Sequence, residues 1–514
     1  MDWTILMPTI VVIVTGIAAL IVEMLRPKQN NNLIVGVSLV GLGYAAFLLF
    51  QQIGAPTATT AGGLVLRDQF AVLAQLITVG VTMLCFLFSE GYLREKRIAF
   101  GEFYPLAMWA ASGGMMMAST NNMLMMFVGL EILSISLYCL AGMARREQRS
   151  EESALKYFLM GAFASAVLLY GIAFLFGASG TLDVSGFREA MQSDIDHLKS
   201  FALLGLAMMI VGLGFKAALV PFHQWTPDVY QGAPTNVTAF MAAASKIAAF
   251  AGLYRVLAGA VDLQSYYMDV MVVLAILTMS IGNLVALVQK DVKRALGYSS
   301  IAHAGYIMVG LLAHLNSPDK INLGSVLFYL LSYSLMTVGA FAVISLTAKG
   351  GKEGTRTQDL NGMWKKAPLA AGSLLFFVVS LIGMPPTAGF FGKLFIFKDA
   401  WNSGLQTLAI ALAINSVISV FYYLQIVRAA FVDDEDVYSP QMSSMSSGLR
   451  LTCILCILGI GGATLFAQPI LNVTNQAGKE LNVYKHDIED VNDDVVDSSV
   501  TPVPGLTGSE AAGG

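Results

Sequence analysis

Fourteen apolar runs, each about as long as a bilayer is thick, succeed one another along this chain and direct it towards a helical bundle in a membrane. They cover approximately residues 3–25, 33–53, 69–89, 103–119, 122–142, 155–177, 200–220, 236–254, 268–289, 297–314, 321–347, 368–397 (interrupted), 404–427 and 451–468. With 56% hydrophobic residues and only 12% charged, a soluble domain has nowhere to hide so much apolar surface. The expected fold class is therefore all-α: a polytopic membrane protein of about fourteen transmembrane helices.

Lysine and arginine gather in the cytoplasmic loops of membrane proteins. Placing the N-terminus outside puts 19 basic residues in inner loops and 8 in outer segments, so both termini are expected on the outer side of the cell (inner) membrane. Three of the 30 basic residues remain, Lys216, Lys246 and Lys393, and all three lie inside spans. The first span has no basic residue before it and no convincing small-residue cleavage site behind it, so it reads as a retained helix. From GKELNVYKHDIEDVNDDVVDSSV onward the chain is acidic, has no apolar stripe and is expected to be disordered.

Cys85, Cys139, Cys453 and Cys456 all sit in apolar runs. The CxxC of LTCILCIL has no second pair and no histidine nearby, which points to inert helical packing. There is no dinucleotide fingerprint, no phosphate-binding loop, and no haem or iron–sulfur ligand set. The chain itself is expected to hold no cofactor and no metal.

An ionisable side chain at the bilayer centre costs about 2.5–3.5 kcal/mol on insertion scales, and four such residues stand out. Glu131 lies mid-span in NNMLMMFVGLEILSISLYCLAG, and Lys216 interrupts FALLGLAMMIVGLGFKAALV. Lys246, in NVTAFMAAASKIAAFAGLY, is about ten residues, or roughly 15 Å of helix, into its span. Lys393 follows a proline pair in SLIGMPPTAGFFGKLFIF. Snorkelling accounts for a lysine near a helix end, and a buried ion pair accounts for two of the four. Neither accounts for the set, so Glu131, Lys216, Lys246 and Lys393 are the candidate catalytic residues, the groups that take up and release a proton.

Pro221, Pro227 and Pro234 follow Lys216 closely, and Pro385 and Pro386 precede Lys393. Proline removes a backbone donor and clashes with the preceding turn, so both helices are expected to break at membrane depth. Such breaks are tolerated only where protein or a water-filled cavity satisfies the freed groups, and paired discontinuous helices point to ion sites at a repeat interface. The breaks lie five spans apart, which suggests two related five-helix units at about 103–254 and 268–427. A three-helix segment, 1–102, precedes them; a C-terminal helix within 428–470 and the acidic tail, 471–514, follow.

Between these anchors His303, in SSIAHAGY, is a candidate proton relay because its unperturbed pKa is near neutrality. Tyr298, on the same run, and His223, in PFHQW at the break, are further relay candidates. For Ser299, Ser300, Ser332, Tyr333, Ser334, Asn415 and Ser416, ordinary interhelical hydrogen bonding is the plainer expectation. The 26 methionines are expected to be flexible packing.

At GLGFKAALVPFHQWTPDVYQGAPT, then SKIAAF, QKDVKRALGYSSIAHAGYIMVG and GMPPTAGFFGKLFIF, the sequence resembles the antiporter-like membrane subunits of respiratory complex I, the NADH–quinone oxidoreductase. The likeness covers essentially residues 1–470. It implies fourteen helices with two inverted five-helix repeats. It also implies a proton path: a glutamate on the fifth helix pairs with a lysine on the seventh, followed by a connecting lysine on the eighth and a terminal lysine on the twelfth. Glu131, Lys216, Lys246 and Lys393 occupy those positions. Among the types in this family the wording is nearest subunit N. The M type typically has glutamate where this chain has Lys393, and the L type carries a long lateral helix where this chain has only a tail.

The same resemblance implies a subunit of a proton-translocating enzyme whose redox centres, FMN and iron–sulfur clusters, lie in partner subunits that pass electrons from NADH to quinone. Its neighbours would be other membrane-arm subunits, antiporter-like and small, and the lipid bilayer. No nucleic-acid partner is implied.

Desolvation disfavours the charged form of an amine, and neighbouring charge modulates that balance. At about 10 Å and an effective dielectric of about 20, one unit charge acts on another with roughly 1.7 kcal/mol. Moving one charge across the membrane takes about 2.3 kcal/mol per 100 mV, so switching steps of this size are on the right scale. Displacing Glu131 relative to Lys216 would release a proton towards Lys246, whose charge would then act on Lys393. Two alternatives share these features: a subunit of a multi-subunit cation/proton antiporter, and a structural subunit that moves no ions.

Overall fold

The computed structural model of the chain describes residues 2–25, 31–98, 100–431 and 442–475. The acidic tail from Gly478 onward, expected to be disordered, lies outside the described residues. The α-helices in chain order are α1 Trp3–Leu25, α2 Asn32–Gln51, α3 Gln69–Lys96, α4 Phe103–Ala118, α5 Met123–Ala141, α6 Gln148–Ser179, α7 Gly186–Gln192, α8 Asp196–Ala217, α9 Trp225–Gly232, α10 Thr235–Gly259, α11 Gln264–Ala286, α12 Val292–Asn316, α13 Gly324–Ile344, α14 Met363–Lys366, α15 Pro368–Ile382, α16 Ala388–Asn402, α17 Gln406–Phe431 and α18 Ser447–Leu465, and residues 467–475 are helical as well.

All fourteen expected runs carry helix, and twelve helices among the described residues are long and apolar enough to cross a membrane. The other two runs fall short of that measure for separate reasons. Helix α4 has only 16 residues, and the interrupted run is split into α15 and α16, of 15 residues each. Among the described residues the strands are confined to two small antiparallel hairpins in loops, β1 Ala58–Thr60 with β2 Val65–Arg67 and β3 Ala348–Lys349 with β4 Lys352–Glu353.

Side-chain caps set several helix starts, each meeting one of the backbone N–H groups that a helix N-terminus leaves orphaned. Asp68 accepts from the Ala71 N–H at 2.7 Å ahead of α3. Asn122 does the same for α5 and Asp291 for α12, both at 3.0 Å. Because these caps sit where hydropathy changes, the helix ends coincide with the ends of the apolar runs.

Helix α4 packs on α5 as α11 packs on α12, and α13 lies against both α15 and α16 much as α6 lies against α8 and α9. Close crossings rest on small residues: a Cβ on Gly113 of α4 would stand 2.5 Å from the Gly129 carbonyl of α5. At the centre are α10 and α12, the two most buried of the twelve long helices and also the two least apolar. Helix α3 lies along α10 and also touches α4, α13 and α18. The outer helices α1, α2, α11, α17 and α18 keep rows of large apolar side chains exposed, such as Phe47, Phe50, Val273, Phe421 and Leu458. That is the surface a lipid phase would cover.

Candidate functional site

Helix α8 stops at Ala217, where Ala218 takes a left-handed φ of 63°. The chain turns through residues 218–224 and restarts as α9. The peptide bond before Pro221 is cis. The freed Val220 N–H donates to Thr278 Oγ1 at 3.0 Å, and Trp225 Nε1 donates back to the Phe215 carbonyl at 2.8 Å. The expected break is thus present, and protein meets the Val220 N–H and the Phe215 carbonyl there.

Lys216 is in the last turn of α8 and only 3% exposed. Its Nζ donates to Ser134 Oγ at 2.8 Å and to the Tyr157 hydroxyl at 3.1 Å. It also lies 5.2 Å from the centre of the Tyr157 ring, which stacks on Trp225 at 4.5 Å. Glu131, one turn before Ser134 on α5, is half-buried and accepts a short hydrogen bond from Ser165 of α6.

Among the described residues no ion pair within 4.0 Å joins Glu131 to Lys216. Ser134 and Tyr157 take two of the three N–H donors of the Lys216 amine. A cavity of about 10 Å³ lies beside the amine, its wall made of Ser134, Tyr138, Ser165 and Lys216 together with apolar residues such as Leu130 and Leu168. That is about the room one water needs, and Ser134, Tyr138, Ser165 and Lys216 are the polar groups on its otherwise apolar wall.

Lys246 is buried in the middle of α10, at 2% exposure. Its Nζ reaches the Ala217 carbonyl at 3.4 Å, the last residue of α8. The second break repeats this arrangement. Helix α15 ends at Ile382, Gly383 takes φ 85°, the Pro385–Pro386 bond is cis, and Thr387 caps α16. Lys393 Nζ donates to the carbonyls of Leu381 at 3.1 Å and Ile382 at 2.8 Å, and lies 5.0 Å from the centre of the Tyr306 ring. Carbonyls at a helix C-terminus lack intrahelical donors and carry the negative end of the helix dipole. Both interior lysines therefore take the C-terminal carbonyls of an interrupted helix as their acceptors.

His303 stands in a network of hydroxyls that lies between the two breaks. Its Nδ1 meets the Tyr329 hydroxyl at 2.7 Å and its Nε2 the Tyr423 hydroxyl at 3.2 Å. Tyr423 also makes a short bond with Ser299. Ser300 accepts from the Tyr333 hydroxyl at 2.9 Å and lies 3.3 Å from that of Tyr230, on α9. On the Lys393 side, Tyr306 and Tyr422 share Asn283, at 2.9 and 3.2 Å, and Asn283 is bonded to Asn415 at 3.2 Å.

The structure brings His303, Ser299, Ser300, Tyr333 and Asn415 together and leaves other candidates aside. Tyr298 points to Arg294 at the helix end, with no hydrogen bond to the His303 network among the described residues. His223 is half-buried in the turn after α8. Ser332 and Ser334 bond to carbonyls of their own helix. Ser134, Tyr157, Ser165, Tyr230, Tyr306, Tyr329 and Tyr423 were not singled out from the sequence. The signal for some of them was there: Ser299, His303 and Tyr306 recur at helical spacing on α12, as Tyr329 and Tyr333 do on α13. Among the described residues no three His, Cys, Asp or Glu side chains gather as a metal ion would need.

Residues 120–419 match the family described as NADH:quinone oxidoreductase/Mrp antiporter, transmembrane. A protein named NADH-quinone oxidoreductase subunit N from Trichlorobacter lovleyi is 40% identical over 82% of this chain and 86% of its own length. One named subunit N 1 from Sorangium cellulosum is 44% identical over 74% of this chain and 77% of its own. A chain of respiratory complex I from Thermus thermophilus with bound aureothin superposes with a TM-score of 0.78 at 34% identity, over 92% of this chain and all of that one. A chain of the Mrp complex from Dietzia sp. shares the fold, with a TM-score of 0.81 at 21% identity over 94% of this chain and 98% of its own.

Proposed function

This chain belongs to the NADH:quinone oxidoreductase/Mrp antiporter transmembrane family and, within it, to subunit N of NADH-quinone oxidoreductase, and on that premise we propose that its buried amines carry the protons this membrane-arm subunit moves. The observation that carries the reading is the set of three sequestered lysines, Lys216, Lys246 and Lys393, each bonded to protein groups inside the bundle. A cation whose only duty was structural would be replaced by an apolar side chain with little loss, and often with a gain, of stability.

On this reading Lys216 is loaded or emptied as the Glu131 charge changes its distance, with Ser134, Tyr157, Ser165 and one water as the local path. Lys246 receives the proton at the end of α8. Tyr230, Ser300, Tyr333, His303 and Tyr423 form the line that leads from α9 towards Lys393. His303 hands a proton on by accepting at one ring nitrogen and donating from the other. His223 is retained as a relay at the first break; Tyr298 is not retained. The two packing sets, α4 to α10 and α11 to α17, serve as inverted repeats, each with one interrupted helix, and the three N-terminal helices stand outside them.

Neighbouring membrane-arm subunits and the surrounding bilayer are the partners. Electron transfer from NADH to quinone, with FMN and iron–sulfur clusters, belongs to other subunits. Both termini face outward from the cell membrane. The relatives named for subunit N favour this over a sodium-type antiporter.

The decisive measurement is Lys246→Ala in membrane vesicles, with proton uptake recorded beside quinone reduction. Pumping per quinone reduced is expected to fall in the assembled complex. An unaltered ratio would leave a subunit that moves no protons and refute the proposal.

A further inference from the structure

Helix α10, which holds Lys246, has an unusually smooth middle: Ala242, Ala243, Ala244, Ala248, Ala249 and Ala251 surround the lysine. Small side chains make shallow ridges, so packing alone fixes the axial position of such a helix weakly. Yet among the described residues the only hydrogen-bond acceptor for Lys246, the Ala217 carbonyl, is at 3.4 Å, the far limit for such a bond. A small slide of α10 breaks it. What fixes the register lies at the helix ends.

At the first end a carboxylate reaches in from a loop. Glu353, on β4, is 4% exposed at its side chain. Its Oε2 accepts from Lys96 Nζ at 2.9 Å and the Tyr92 hydroxyl at 2.8 Å, both on α3. Its Oε1 accepts a short bond from Thr235 Oγ1, the first residue of α10, and lies 3.9 Å from Lys293 Nζ of α12. Thr235 N–H also donates to the Tyr92 hydroxyl at 2.9 Å. Lys293 donates to the Ala233 carbonyl at 2.5 Å, and Lys96 is shared with Glu147 at 2.7 Å.

At the other end Arg255, 3% exposed, pairs with Asp68 at 2.9 and 3.1 Å. The same guanidinium donates to the Ala118 carbonyl at 2.6 and 2.9 Å and to Asn121 Oδ1 at 3.0 Å. Asp68 is the residue that caps α3. The two ends of α3 are therefore tied to the two ends of α10, running the opposite way, through buried charges.

We propose that Glu353 with Thr235, and Asp68 with Arg255, are positioning residues that hold α10 in register against α3 so that Lys246 stays at the end of α8. The inference rests on the proposed role of Lys246. The N-terminal three-helix segment, which supplies none of the four proton-carrying candidates, acquires a task here: α3 is the strut that indexes the central lysine. Burying ion pairs is a poor route to stability, since apolar replacements often serve better. Their presence at both ends of one helix fits the fixing of geometry.

The test uses the intact complex in membrane vesicles and reads protons moved per quinone reduced, normalised to assembled complex. Thr235→Val removes the hydroxyl bond to Glu353 without changing charge and is expected to at least halve the ratio. Thr235→Ser restores the hydroxyl and is expected to restore the ratio. Glu353→Gln should lower it further; if that variant does not assemble, the Thr235 pair still decides. A ratio unchanged in Thr235→Val, or lowered equally in Thr235→Ser, overturns the inference. Lys246→Ala is measured alongside. Loss of pumping there with none in Thr235→Val sinks the positioning role alone, whereas no loss in Lys246→Ala removes the reading beneath it, and this inference with it.

Discussion

Placing a methyl group on Gly389 tests whether Lys393 depends on the carbonyl end of α15. A Cβ at this position would stand 1.8 Å from the Ser380 carbonyl oxygen, a backbone atom that cannot swing aside. Ordinary contact begins at 3.4 Å, so α16 has to move away from α15 by about 1.6 Å. Lys393 Nζ is bonded to Leu381 and Ile382 at 3.1 and 2.8 Å, and a displacement of that size carries it beyond hydrogen-bond reach of both. Hydrogen bonds to a charged group contribute about 1.5–3 kcal/mol each. Losing the pair removes on the order of 3 kcal/mol from the charged amine, more than the roughly 2.3 kcal/mol that a proton gains per 100 mV.

Gly389→Ala is thus expected to uncouple the terminal site: quinone reduction continues in assembled complex while lumen acidification of inverted vesicles falls several-fold. Gly372→Ala is the control, since a Cβ there meets nothing within 4 Å, and it should pump normally. If Gly389→Ala acidifies as well as Gly372→Ala at equal quinone turnover, the assignment of Lys393 to the helix end is wrong.

Tyr423→Phe removes the hydroxyl shared by Ser299 and His303. With about 1 kcal/mol for one such bond, the initial acidification rate is expected to drop about fivefold at constant assembled complex. Ser165→Ala takes away the hydrogen bond to Glu131 and leaves a half-buried carboxylate short of a donor. A loss of about 1.5–3 kcal/mol in stability should appear as a lower melting temperature, together with weaker pumping.

Glu353 gives a signed pH dependence. Burial alone would raise its pKa, but Lys293 and Lys96 outweigh that and hold it at about 2, with Tyr92, Thr235 and Glu147 as the other groups of the cluster. A depressed carboxyl stabilises the fold fully above the ordinary range near pH 4.5 and loses this as pH falls towards 2. The amount is on the order of 3 kcal/mol. Melting temperatures followed from pH 6 to 3 should fall less steeply in Glu353→Gln than in the parent.

The charges that matter most were legible because water-seeking groups inside apolar runs are conspicuous. Lys216, Lys246 and Lys393 stand out in any hydropathy trace, and Pro221 and Pro385 mark where their helices stop. The partners were harder to read. A tyrosine in a span reads as packing, since one ring has an apolar body and a polar tip, and only the fold shows that Tyr329 and Tyr423 meet His303 from two other helices. That Ser134 and Tyr157 hold the Lys216 amine could not be foreseen, since it turns on which hydroxyls of other helices reach it. Glu353 was disguised by its setting: in AKGGKEGTRTQ it looks like a solvated loop residue. The Asp68–Arg255 pair spans 187 positions and leaves no local pattern.

The central pair of helices, α10 and α12, combines the deepest burial with the weakest apolar character of the twelve. A nascent helix commits to lipid in proportion to its own hydrophobicity, so these two have the least reason to stay there unaided. They depend on neighbours for their place, and because α17 and α18 are made after both of them, their final seating is expected to wait for those later helices. Fused singly into an insertion reporter, the α10 segment should translocate far more often than the α1 segment. Lesions in the periphery would then surface first as clearance of the unfinished chain by membrane proteases.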